Sequence, residues 1–106
     1  MNISDLYWHD GLITGLLFKP NYEGPSKIVI SIELFADPDN TAYRDALQIK
    51  CVDVQRFIAT CDIFELNDNK GTGNILDAWV TGKVLRISLF GGYIEIESKD
   101  LKVEKC

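Results

Sequence analysis

Residues Lys27 to Phe35, KIVISIELF, set Ile28, Ile30, Ile32 and Leu34 at alternate positions, with Lys27, Ser31 and Glu33 on the other side. A period of two puts each set on its own face of an extended chain, so a strand with one buried face is predicted. Its limits are KPNYEGPS (19–26) and ADPDNT (36–41), where proline presets φ and Asp and Asn favour turns. Leu47, Ile49 and Cys51 alternate with Gln48 and Lys50, which predicts a second strand returning antiparallel to the first.

The run KVLRISLFGGYIEIES (83–98) predicts a hairpin. With Gly91-Gly92 as a two-residue turn, Leu89 lies opposite Ile94 and Ile87 opposite Ile96 on an apolar face. The other face then pairs Arg86 with Glu97, Ser88 with Glu95 and Phe90 with Tyr93. A slip of one residue would scramble both faces.

Elsewhere the pattern decides less. Residues 11–19 read as a strand, but the adjacent pairs Leu12-Ile13 and Leu16-Leu17 leave its inward face open. In residues 53–69, Val54, Phe57 and Ile58 fit a helical spacing with Asp53 as N-cap, whereas Val54, Phe57, Ile58 and Thr60 individually favour strand. The reading adopted is a continued, irregular strand, then a short helix around Asp62 to Leu66 and the turn-rich NDNKGTGN (67–74). Ile75 to Val80 predicts a short strand with Leu76, Ala78 and Val80 facing one way and Ile75, Asp77 and Trp79 the other. Leu101 and Val103, bordered by Lys99, Lys102 and Lys105, predict a last edge strand whose lysines discourage aggregation. Six or seven short strands with at most one small helix define a mainly β fold, or α+β with one short helix. The antiparallel sheet is expected to fold as a sandwich or half-open barrel.

With 106 residues, the chain is expected to form a single domain over 1–106 and to bury roughly 65% of its unfolded surface. Its 46% hydrophobic and 25% charged residues are those of an ordinary globular protein. Three cysteines, Cys51, Cys61 and Cys106, form no CxxC pair and leave an odd thiol, so neither a disulfide framework nor a zinc site is indicated, and a reducing cytoplasm is expected. The N-terminus has no basic leader, and no stretch approaches the roughly 20 apolar residues of a membrane-spanning helix, so a soluble chain without membrane association is expected. The net charge of −5 disfavours nucleic acid as a partner, because phosphate backbones are bound through Lys and Arg. Residues 1–53 hold 8 acids against 4 bases and residues 54–106 hold 8 against 7, so the first half carries most of the negative charge and a cationic partner is the better match.

Reactive constellations are sparse. His9 is the single histidine, nothing positions a nucleophile beside it, and Asp10 as its neighbour on a strand would point to the opposite face. Gly71-Thr72-Gly73-Asn74 lacks the Lys and long helix of a phosphate cradle, and Asn67-Asp68-Asn69 lacks the spaced acids and terminal Glu of a calcium loop. No catalytic residue, cofactor or metal is expected. Asp53, Asp62, Glu65 and Asp77 read as solvated surface or turn caps, since an acidic chain always offers carboxylate pairs.

Aromatics beside acids are more informative. Trp79 follows Asp77 on the predicted outer face, and Tyr93 precedes Glu95 and Glu97. Trp and Tyr are frequent interface anchors, and clustered acids speed encounter with basic surfaces. Trp79 also fits a second core layer of a sandwich, and Tyr7 and Trp8 carry the same two readings.

Trp8-His9-Asp10 ahead of a first strand, Gly73-Asn74-Ile75, the run Leu85 to Leu89 and Gly91-Gly92-Tyr93-Ile94-Glu95-Ile96 together resemble small bacterial β proteins, some families of which are associated with toxin immunity. The resemblance spans most of the chain and rests on strand and turn signals. It implies a protein partner, a basic toxin domain whose active or binding surface is covered. No functional residue is carried over from it; partner-binding candidates are Asp37, Asp39, Asp45, Glu65, Asp68, Asp77 and Trp79. The competing expectation is a small-ligand or regulatory β module, and the chain is expected to be a monomer or a homodimer.

Overall fold

The computed structural model describes residues 2–106. A short 3-10 turn, Ile3–Asp5, precedes six strands: β1 (Leu12–Lys19), β2 (Lys27–Asp37), β3 (Asn40–Cys61), β4 (Ile75–Thr81), β5 (Val84–Leu89) and β6 (Gly92–Lys105). One helix, α1 (Ile63–Asp68), lies between β3 and β4. The strands form a single antiparallel sheet in the order β1-β2-β3-β6-β5-β4, as a mainly β reading with one short helix requires. Among the described residues no helix is long and apolar enough to cross a membrane.

The β2 pattern is realised in full: Ile28, Ile30, Ile32 and Leu34 are all buried, and they pair with Cys51, Ile49, Leu47 and Asp45 of β3. The connection is the two-residue loop Pro38-Asp39, in which the Asp39 amide donates to the Asp37 carboxylate at 2.8 Å. β3 then runs past the end of β2 and stays paired with β6 as far as Cys61. At the point of departure Asp53 takes a left-handed φ of 58°, a conformation that Asp tolerates better than most residues, and its amide donates to the Ser26 carbonyl. Asp53 is therefore a bend in a continuous strand and not a helix cap. The cap is Asp62, whose carboxylate accepts from the Phe64 and Glu65 amides at the start of α1.

Two irregularities resolve what periodicity left open. A register shift between Ile13 and Gly15 changes the parity of β1, so that Ile13, Leu16 and Phe18 share the face of Ile32, Ile30 and Ile28, while Leu17 points outward. A second shift, between Ile75 and Asp77, corrects the reading of β4. Ile75, Ala78 and Val80 pack on the core, and Leu76 is the exposed extra residue.

The closing hairpin needs a larger correction. Leu89 pairs with Gly92, Ile87 with Ile94, Leu85 with Ile96, Arg86 with Glu95 and Ser88 with Tyr93. The loop is Phe90-Gly91, two residues out of the expected register, which preserves the faces but changes every partner. The tandem glycines divide the work: Gly91 supplies a positive φ of 76° for the turn, whereas Gly92 is an extended residue. A Cβ on Gly92 would run into the Thr60 carbonyl oxygen and lie 3.1 Å from the Cys61 Cα, because β3 closes against it from the other side. Beyond Glu97 the strand continues without β5, and Leu101 and Val103 pair with Cys51 and Ile49, forming the expected lysine-bordered edge as the second half of β6.

The sheet curls without closing into a barrel. Its two ends meet at one point: the Ile75 amide donates to the Gly11 carbonyl at 2.9 Å, and the buried Asn74 side chain accepts from the Ile13 amide at 2.8 Å while donating to the Leu66 carbonyl at 3.2 Å. Inside the curl, Ile75, Leu85, Ile87, Leu89, Ile94 and Ile96 face the β2 and β3 residues, and Trp8 fills one end.

Gly92→Ala is expected to destabilise the protein by about 1–3 kcal/mol, the range for forcing extra volume into a packed site, whereas Gly71→Ala, with nothing within 4 Å of the new Cβ, is expected to be near neutral. Asn74→Ala leaves the Ile13 amide without its acceptor and is expected to cost about 1–3 kcal/mol. Urea midpoints at constant slope measure all three variants.

Candidate functional site

The N-terminal segment is held over the core by its own side chains. The Asn2 carboxamide oxygen accepts from the Ser4 amide at 3.1 Å and the Ser4 hydroxyl at 3.0 Å, Ile3 and Leu6 pack against the core, and Trp8 is buried. The chain reverses at His9-Asp10, where Asp10 has a φ of 61° and the Gly11 amide returns to the Trp8 carbonyl at 2.9 Å. Arg44 ties this turn down, donating through Nε to the Asp10 carbonyl at 3.2 Å and through Nη2 to the Gly71 carbonyl at 3.3 Å, with its guanidinium 4.7 Å from the centre of the Phe35 ring. His9 Nδ1 lies 3.1 Å from the Leu76 carbonyl, which can only accept, so this nitrogen carries the proton. Nε2 is 3.6 Å from an Asp10 carboxylate oxygen, beyond hydrogen-bond length. His9 and Asp10 thus brace the first turn, and the Ser4 hydroxyl is committed to Asn2.

Between this segment and β4 lies a half-open cleft of about 370 Å³, lined by Ser4, Tyr7, His9, Asp77, Trp79 and Val80 among others. Trp79 is 44% exposed and sits opposite Arg86 on the outer face, as the β-period predicts, so it belongs to no second core layer. The Asp77 carboxylate accepts from the Ala78 amide at 2.8 Å through one oxygen. On the far side of Leu6 and Tyr7 is a second cleft of about 190 Å³, which includes Asp5, Asp45 and Lys105. Tyr7 lines both.

Of the residues singled out from the sequence, Asp77 and Trp79 share the first cleft and Asp45 lines the second. Asp37 and Asp39 sit with Asp45 on the β2–β3 hairpin, beside the exposed Tyr43. Glu65 and Asp68 are on α1 and line neither cleft. Ser4 and Asp5 escaped the sequence reading because a segment without periodicity gives no face, whereas Tyr7 was one of the aromatics with two readings and lines both clefts.

Next to Trp79 on the outer face, Glu95 accepts from Arg56 Nη2 at 2.6 Å, Arg86 Nε at 3.1 Å and the Tyr93 hydroxyl at 2.7 Å. The Tyr93 bond, followed by the two guanidiniums, holds the Glu95 carboxyl below its ordinary range against the cost of burial, and the same bond raises the Tyr93 hydroxyl. Burial pushes the Cys51 thiol up to about 12, in keeping with a small core side chain. Among the described residues no three His, Cys, Asp or Glu side chains are grouped so as to hold a metal ion. Comparison of the chain with protein-family models, curated proteins and solved structures finds no match.

A carboxyl whose folded value is lowered stabilises the fold above its unfolded value and loses that contribution as pH falls through the folded one. Glu95, and Glu104 bonded to Lys50 at 2.8 Å, both act in this sense. Urea midpoints are therefore expected to fall below about pH 4, the ordinary carboxylate range. Glu95→Gln is expected to lower the midpoint at pH 7 and flatten the acid limb, leaving the Glu104 part.

Proposed function

We propose that this protein is a non-catalytic binding protein of the immunity type, which neutralises a bacterial toxin domain of basic surface by covering its active or binding surface. The observation that carries this reading is the pair of acid-containing clefts on either side of Leu6 and Tyr7, one of them rimmed by the exposed Trp79. A lysine or arginine side chain entering the first cleft would meet the Asp77 carboxylate and the faces of Tyr7 and Trp79, a combination of charge-assisted hydrogen bonding and cation–π attraction. The hairpin acids Asp37, Asp39 and Asp45 extend the negative field, with Glu65 and Asp68 contributing from α1. A net charge of −5 and the resemblance to immunity-type β proteins support the same partner.

The mechanism is occlusion by a largely preformed surface. Opposite charges raise the rate of encounter, and the aromatic contacts slow dissociation once water is excluded. The setting is the cytoplasm, where the thiols of Cys51, Cys61 and Cys106 stay free. A second reading, a small-ligand or regulatory β module, draws on the first cleft, whose volume is at the low end of ligand pockets.

The test is capture of a basic toxin domain from the native strain and its neutralisation by this chain. Asp45→Lys/Asp77→Lys, shown to be folded by circular dichroism, is expected to associate at least about tenfold more slowly than the parent at low salt, with the gap narrowing at high salt. A double variant that neutralises as fast as the parent at low salt would remove the basis of the proposal.

A further inference from the structure

The two outer edges of the sheet are treated differently. β4 is guarded: its bulge between Ile75 and Asp77 breaks the row of pairing groups, the segment Ile3–His9 lies alongside it, and His9 occupies the Leu76 carbonyl. β1 is guarded only at its beginning, where Asn74 bonds Ile13 and a cleft lined by Leu12, Ile13, Thr14 and the α1 residues Ile63 and Leu66 shows the helix alongside. From Gly15 to Lys19 its outer side meets no other strand among the described residues.

That bare stretch is also the most apolar part of the surface. Leu17 is 54% and Phe18 51% exposed, with Leu16 beside them. Leu16 shares an apolar groove of about 270 Å³ with Ile63, which is 70% exposed and followed by Phe64 at 83%. Exposed side chains of this kind cover on the order of 600 Å² per chain, approaching the roughly 800 Å² per partner of a standard interface before backbone pairing is counted. Charge points the same way: on a chain of net charge −5, β1 has no acid and one base, whereas the opposite edge carries Asp77.

We propose that β1 pairs with β1 of a second copy, antiparallel about Leu17, to form a two-fold dimer with one continuous sheet. An isologous pairing must be compatible with itself, and this one is. Leu17 faces Leu17, Leu16 faces Phe18, and Lys19 faces Gly15, so the two lysines never meet. The same register brings residues 20–22 of the second copy level with Leu12–Thr14, beside α1. There the fully exposed Tyr22 has Ile63 and Phe64 to pack on. The cleft beside β4 lies on the other edge of the sheet, and the second cleft, over β2, β3 and β6, contains no β1 residue, so both stay open.

Sedimentation equilibrium of the full chain at up to about 100 μM, a range that covers dissociation constants of weak specific dimers, is the test. The parent is expected at twice its 12.0 kDa monomer mass. Leu17→Lys, which sets two ammonium groups on the axis from an outward-facing position, is expected to weaken the dimer at least tenfold. Tyr22→Glu, at a fully exposed loop site that cannot disturb the fold, is expected to weaken it too, and Thr81→Lys on the β4 edge is expected to leave it unchanged. A parent that stays monomeric overturns the proposal, including the case in which this edge serves a strand of a different protein. So does a dimer that withstands both Leu17→Lys and Tyr22→Glu, or one that Thr81→Lys dissolves.

Discussion

The architecture depends on one buried carboxamide. Asn74 sits where the first and last strands of the sheet order come together, and its side chain behaves as a short piece of strand, accepting from the Ile13 amide while donating to Leu66. Without it the start of β1 would present an unsatisfied amide at the point where the sheet curls back on itself. The backbone on either side of Asn74 joins in: the Ile75 amide bonds Gly11, and the Asn74 carbonyl accepts from Phe90. One residue thereby links β1, α1, β4 and the closing hairpin, and the core inherits its shape from that junction.

The junction also explains where the surface is finished and where it is not. The turn at Trp8 to Gly11 is packed against the same corner, since a side chain on Gly73 would strike the Asp10 backbone, and this anchors the N-terminal segment along β4. Two acid-containing clefts result, one on each side of Leu6 and Tyr7. The far end of β1 receives no equivalent cover. The two clefts and the bare strand edge are consequences of closing the curl at one end only.

Polar organisation on the outer face follows from strand register. Because β5 is two residues from the expected alignment, Arg86 meets Glu95, and the register shift in β3 between Val54 and Arg56 brings Arg56 to the same carboxylate. Glu95 then has three donors around it and is nearly withdrawn from solvent while remaining charged. That arrangement ties β3, β5 and β6 together beside Trp79, so the aromatic stands on a braced part of the sheet.

Alternation in Lys27 to Phe35 and turn chemistry at Pro38-Asp39 were legible because each is a local preference in or beside a segment whose buried face is unambiguous, whereas the strand-then-helix order of residues 53–69 rested on single-residue preferences against a competing helical spacing. Sequence by itself also settled the antiparallel, mainly β class and the acidic surface. Tertiary structure alone decided the hairpin register, since Gly92 is required by the approach of Thr60 and not by the turn that Gly91 makes. It likewise decided the parity of β1 and β4, because a bulge is an extra residue that no alternation announces. Asn74 looked like one more turn residue for the same reason: a side chain that substitutes for backbone reveals its role only when strands distant in the chain are brought together.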